Sequence, residues 1–190
     1  VDGQAVVVPQ KIDQFEQRYG HKPAGIRTSF DALAVYVHKD NPIKELSLAQ
    51  VEAIFGKSRK RGFKQNVTTW GQLGLTGEWA SRPIGLYGRN SASGTYGFFK
   101  EIVLKNGDYK DTVKEQPGSA SVVQGVTEDR YAIGYSGAGY RTSGVRAVPL
   151  AEQPAGPFFS GTYEEVVAGK YPLSRFLYVY VNRAPGKPLD

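Results

Sequence analysis

The run Phe30-Asp31-Ala32-Leu33-Ala34-Val35-Tyr36-Val37-His38 constrains the fold of this chain more than any other segment. Its apolar residues do not alternate with polar ones, so a strand built from it has no face to give to water. It is expected to be a buried strand, covered on both sides. Lys39-Asp40-Asn41-Pro42 ends it, because proline removes a ladder donor and the polar cluster favours a turn. A second β-prone run, Arg175 to Val181, lies near the other end and stops at Asn182-Arg183-Ala184-Pro185.

The remaining segments alternate between helical and strand patterns. Ile12 to Tyr19 spaces its large apolar residues three and four apart and meets Gly20, which predicts a short helix. Ser47 to Phe55 predicts another, with Ser47 as N-cap, Gly56 as stop, and Leu48, Val51, Ile54 and Phe55 on one face. Residues 83–88 read as a strand, Arg89 to Ser93 as a polar turn, and Gly94 to Lys105 as a helix. A helix is expected over 119–128, strands over 132–135 and 145–150, and a capped helix over 162–169. Such alternation argues for an α/β fold: a central mixed β-sheet flanked by helices. Lys57 to Trp79 shows no regular period and is broken by glycines at 62, 71, 74 and 77, so it is expected to be a long surface excursion.

At 190 residues the chain is long enough for one domain with a core and short for two. The longest apolar stretches are strand-length, which points to a soluble chain. Cysteine is absent, which excludes disulfides, thiolate metal sites and a cysteine nucleophile. Methionine is absent even at position 1 and Val1 opens no leader-like pattern, so the chain is expected to be processed or a fragment. A formal charge of +6 favours anionic partners without choosing among them.

Gly88-Arg89-Asn90-Ser91-Ala92-Ser93-Gly94-Thr95 concentrates a guanidinium and three hydroxyls at a strand-to-helix turn. A helix starting near Ser93 leaves its first N–H groups unpaired and carries partial positive charge, which suits phosphate or sulfate. Arg89 adds a two-pronged cationic donor, Ser93 and Thr95 add hydroxyls that donate or accept, and Gly94 allows close approach to the backbone. Ser91 either adds a hydroxyl or faces solvent at the apex. Read alone, the same residues also fit a plain helix cap beside a solvated arginine.

The arrangement resembles the phosphate-binding proteins of the periplasmic-binding-protein superfamily, whose second lobe carries an arginine followed four residues later by Ser-Gly-Thr. Arg89 and Ser93-Gly94-Thr95 match that pattern. Asp31 to Val37 with Lys39-Asp40-Asn41-Pro42, then Leu48-Ala49-Gln50-Val51 with Ile54-Phe55, are similar to the family's crossover strand and following helix. Tyr131-Ala132-Ile133-Gly134-Tyr135-Ser136 and Tyr171-Pro172-Leu173-Ser174-Arg175 also look like family segments. The resemblance implies a single lobe of that fold, belonging to the solute-binding component of an ABC phosphate importer. It implies inorganic phosphate as ligand, held at Arg89, Ser93, Gly94, Thr95 and Ser91. Permease subunits are then the partners, the membrane is met only through the transporter, and the location is the periplasm or cell envelope. Residues 1–30 are expected to be a remnant of the first lobe, 31–182 the second, anion-binding lobe with both crossover strands, and 183–190 a tail. One lobe alone is expected to bind phosphate weakly and with little selectivity.

Two other readings compete. A hydrolase would need Ser93 as nucleophile, but the G-x-S-x-G elbow is broken at Ser91 and only His21 and His38 could act as base. No enzyme activity, metal or cofactor is expected. A nucleic-acid-binding module, or one for another anionic partner, would use the basic loop at 57–64, Lys57-Ser58-Arg59-Lys60-Arg61-Gly62-Phe63-Lys64, but no helix or sheet platform accompanies it. A solvated loop is the commoner fate of such a cluster, and no nucleic acid is expected as partner.

Overall fold

The computed structural model describes residues 9–184 together with 186 and 187. Residues 1–8 of the expected remnant, and 185 and 188–190 of the expected tail, lie outside the described residues. The chain divides into two compact units: residues 32–174, and residues up to Asp31 together with those from Arg175 onward.

In the larger unit the sheet order is β4 (Val113–Gln116), β3 (Gly85–Arg89), β5 (Ala132–Gly137), β1 (Ala24–His38), β6 (Val145–Ala147). β3 runs parallel to β4 and β5, whereas β1 runs antiparallel to β5 and β6. This is the mixed sheet the alternation predicts. The buried part of β1 is Leu33 to Val37, and it sits between two neighbours, which explains its lack of a polar face. Phe30 departs from the expectation: the strand begins at Ala24, and Phe30 is 37% exposed.

Side chains of one strand alternate between two cores. Leu33, Val35 and Val37 pack with α2 (Leu48–Phe55) and with Phe98 and Phe99 of α3 (Gly94–Ile102). Ala34 and Tyr36 pack on the opposite face with Val123 and Val126 of α4 (Ser119–Glu128). The α2 start is set as its sequence requires, because Ser47 accepts from Gln50 N and the Gln50 side chain accepts from Ser47 N. A two-stranded parallel pair, β2 (Leu46–Ser47) with β7 (Leu150–Ala151), replaces the outer half of the strand expected over 145–150.

Residues 57–79 run along the surface for much of their length, as the loss of period suggests, but the segment is also anchored in the core. Val67, Trp70 and Trp79 are buried, the two indoles meet edge to face at 6.2 Å, and Trp70 Nε1 donates to Tyr131 O at 2.9 Å. Both tryptophans sit in single 3-10 turns, which have no amphipathic stripe to read in a sequence.

α5 (Tyr163–Val167) starts at a capping box of Thr162 and Glu165. The smaller unit contains α1 (Pro9–Tyr19), the first part of β1 and most of β8 (Ser174–Val181), which pairs with β1. Within it Thr28 Oγ1 donates to Leu177 O, and Arg175 meets Asp31 Oδ2 at 2.9 Å.

Candidate anion-binding site

β3 leads to α3, and α3 leads through β4 to α4, which then leads to β5 on the other side of β3. The chain thus leaves β3 and β4 in opposite directions across the sheet, with α3 and α4 on opposite faces. In open parallel α/β sheets this reversal opens a crevice beyond the carboxyl ends of the strands, where helix N-termini point. Asn90 N donates to Gln116 O at 3.0 Å and ties the turns after β3 and β4 together at that place.

Arg89 is the last residue of β3. Its Nη1 donates to Ser119 Oγ at 2.9 Å and its Nη2 to Pro117 O at 3.2 Å, both at the start of α4. It is therefore neither a solvated charge nor an ion-paired one: among the described residues no carboxylate pairs with it. Among the described residues the second hydrogen on each terminal nitrogen has no acceptor, which leaves charged donors for a ligand.

Ser93 is the N-cap of α3, and its Oγ accepts from Thr95 N at 3.1 Å. The capping role is real, and it occupies one of the helix's first amides. Among the described residues Gly94 N–H and Tyr96 N–H have no backbone acceptor, so part of the anion-attracting terminus stays open. Thr95 is half-buried in the first turn of the helix, whereas Ser91 is exposed on the preceding turn. Arg89, Ser93, Gly94 and Thr95 are held on one turn, with Ser91 at its outer edge.

Sequence reasoning passed over the start of α4. Its N-cap is Gly118, which offers no side chain, and the amides of Ser119, Ala120 and Ser121 have no backbone acceptor among the described residues. The signal was Pro117-Gly118-Ser119, a turn followed by a helix opening without a capping hydroxyl of its own. Beneath the turn, the Tyr135 ring stacks on Phe99 at 3.8 Å, and Tyr135 Oη donates to Tyr109 Oη, which donates to Tyr96 O. Burial pushes both phenols well above the usual range, so these hydroxyls keep their protons and stay donors.

A family model for the PBP superfamily domain matches residues 3–189. The chain belongs to this family. Over 180 residues it is 56% identical to the phosphate-binding protein PstS of Pseudomonas aeruginosa, covering 95% of this chain and 56% of that protein. It is 27% identical to protein SphX of Synechococcus elongatus over 184 residues, covering 94% of this chain and 53% of that one. The chain thus spans about half the length of the curated relatives it matches. An X-ray structure from Clostridium perfringens with bound phosphate superposes with a TM-score of 0.69 at 26% identity, over 89% of this chain and 62% of that one. An ABC-type phosphate transport receptor from Vibrio cholerae superposes with a TM-score of 0.67 at 22% identity, over 86% and 62%, and shows the fold.

The alternative built on the basic loop finds no support in this PBP superfamily domain. The loop is a clasp. The buried Glu52 carboxylate accepts from Lys60 N at 2.7 Å and from Arg61 N at 2.6 Å. Arg61 donates to Val103 O and Ile102 O at the end of α3 and to Glu152, and so caps a helix C-terminus. Part of the charge that suggested a polyanion is thus used within the protein. The Arg61 guanidinium and the Lys60 ammonium donate to backbone carbonyls and Lys57 pairs with Asp111, while Arg59 and Lys64 stay exposed.

Proposed function

We propose that this chain is the inorganic phosphate-binding part of the solute-binding component of an ABC phosphate importer. One observation carries the reading: an arginine with no carboxylate partner among the described residues, held at Ser119 and Pro117 and keeping one unused hydrogen on each terminal nitrogen, stands where the first turns of α3 and α4 begin. Positive charge, open amides and hydroxyls that can accept from a protonated oxygen suit HPO4 and H2PO4 ions. The name of the Pseudomonas relative and the bound phosphate of the Clostridium structure support phosphate over other anions.

In this reading Arg89, Ser93, Gly94 and Thr95 hold the anion, and Ser91 contributes from the rim. The larger unit is the anion-binding lobe, and the smaller one carries the outer parts of the crossover strands β1 and β8. The chain binds and delivers rather than catalyses, in the periplasm or cell envelope, and hands its ligand to permease subunits. Gripping the anion from one side leaves it partly hydrated, so the affinity of this chain for phosphate is expected to be low and its selectivity over sulfate small.

Amide NMR titrations with phosphate and with sulfate at matched ionic strength test this. Saturable shifts are expected at Arg89, Ser93, Gly94 and Thr95, larger with phosphate. Arg89→Ala is expected to weaken binding about 10- to 100-fold, the loss of charged hydrogen bonds. Turn amides that do not move, or move alike in Arg89→Ala, overturn the assignment.

A further inference from the structure

A polar cluster behind Arg89 is left unexplained by ligand binding. The β3–β5 register pairs Gly85 with Ala132, Leu86 with Ile133 and Tyr87 with Gly134. Continued by two residues, it sets Arg89 beside Ser136. Strand alternation places both on the face that carries α4. Gly134 on that face lies against Val122 and Val126 of α4, and Tyr87 lies against its Gly125. Ser136 is fully buried and its Oγ has no partner among the described residues. Arg89 Nε is also buried without a partner. Ser119, the acceptor for Arg89 Nη1, lies close to the end of β5, its Oγ 3.9 Å from where a Cβ on Gly137 would stand.

Two orphaned polar atoms on neighbouring strands and one face are unusual, because a buried donor or acceptor left unpaired costs free energy, more so when it belongs to a charged group. They are also complementary: Nε–H only donates, and a serine oxygen both donates and accepts. One water between them satisfies both, accepting from Nε–H and donating to Ser136 Oγ.

We propose that Ser119 and Ser136 are positioning residues for Arg89, Ser119 through a direct hydrogen bond and Ser136 through one buried water held at Arg89 Nε. The guanidinium is then fixed from behind at Nε, Nη1 and Nη2. Its remaining hydrogens are left for an oxyanion, without the rotamer loss that a free arginine would suffer on binding. The consequence for affinity rests on the phosphate-binding reading above; the cradle itself does not.

The side-chain Nε–H of Arg89, followed by NMR in the phosphate-free chain, separates the two. Slow exchange with solvent and a cross-peak to a long-lived water are expected. Ser136→Ala and Ser119→Ala should each speed that exchange by about tenfold or more by opening the site locally, and Ser119→Thr, which keeps the hydroxyl, should restore it. Phosphate affinity should fall several-fold in the two alanine variants. An Nε–H that exchanges as fast as that of the exposed Arg59 in the unsubstituted chain sinks the proposal, and so does exchange indifferent to both alanines. Should the exchange behave as expected while the amides of Ser93, Gly94 and Thr95 ignore phosphate, the cradle stands and the ligand reading falls. The converse pattern removes the cradle and leaves the ligand.

Discussion

Gly88 passes so close to Tyr135 that a Cβ on it would stand 2.6 Å from Tyr135 Cε1. That ring is fully buried and stacked on Phe99, so it has nowhere to retreat. Gly88→Ala is therefore expected to destabilise the chain by about 1–3 kcal/mol through overpacking. It should also disturb Arg89, the next residue. Urea unfolding measures the first effect and phosphate titration the second. A variant as stable as the parent would show that the sheet yields here.

The Glu52 clasp makes a different forecast. Glu52→Ala removes the charged acceptor of two part-buried hydrogen bonds, those from the amides of Lys60 and Arg61, which costs roughly 1–3 kcal/mol. Arg61→Ala frees the carbonyls of Ile102 and Val103 and should cost about 1–3 kcal/mol. In both variants trypsin should cut the chain at Arg59 or Lys60 faster. Binding to DNA should be unchanged by Arg61→Ala; a lost, salt-sensitive DNA affinity would instead restore the loop to a recognition role.

Stability should depend on pH in two opposite ways. Lys110 Nζ donates to Ala53 O and Val67 O, and burial, with Arg59 nearby, holds its amine down to about 8. An unfolded lysine keeps its proton up to about 10.4. Between these values the unfolded state binds more protons, so stability rises with pH. Burial pushes Tyr36 up to about 12 and raises Tyr109, Tyr135 and Tyr171 as well. Unfolded phenols ionise near 10, so above that pH the folded state binds more protons and stability falls. The urea midpoint should climb gently from about pH 8, turn near 10 and then drop. Lys110→Met should flatten the climb and keep the drop. A midpoint already falling between pH 8 and 10 in the unsubstituted chain would count against this balance.

What the sequence determined by itself is what depends on neighbours a few residues apart. The caps at Ser47 and Thr162, the polar turn from Arg89 to Ser93 and the strand core Leu33–Val37 follow from local spacing and from the absence of a polar face. Arg89, Ser93, Gly94 and Thr95 were legible as a group for the same reason: one turn holds them all.

Only the tertiary structure decided the rest. β4 is a short edge strand of Val113-Lys114-Glu115-Gln116, whose polar residues carry no pattern until β3 supplies a partner. Trp70 and Trp79 gain their burial from a core that the irregular segment around them does not announce. The basic run at 57–64 reads as a surface for anions until Glu52 is seen to hold its backbone and the end of α3 to take up Arg61. Ser119 lies 30 residues from Arg89, and Ser136 stands beside it only because β5 crosses to the far side of β3. Strand order brings these groups together, and strand order is set by which faces must be buried against which, a sum over the whole chain that no local spacing contains.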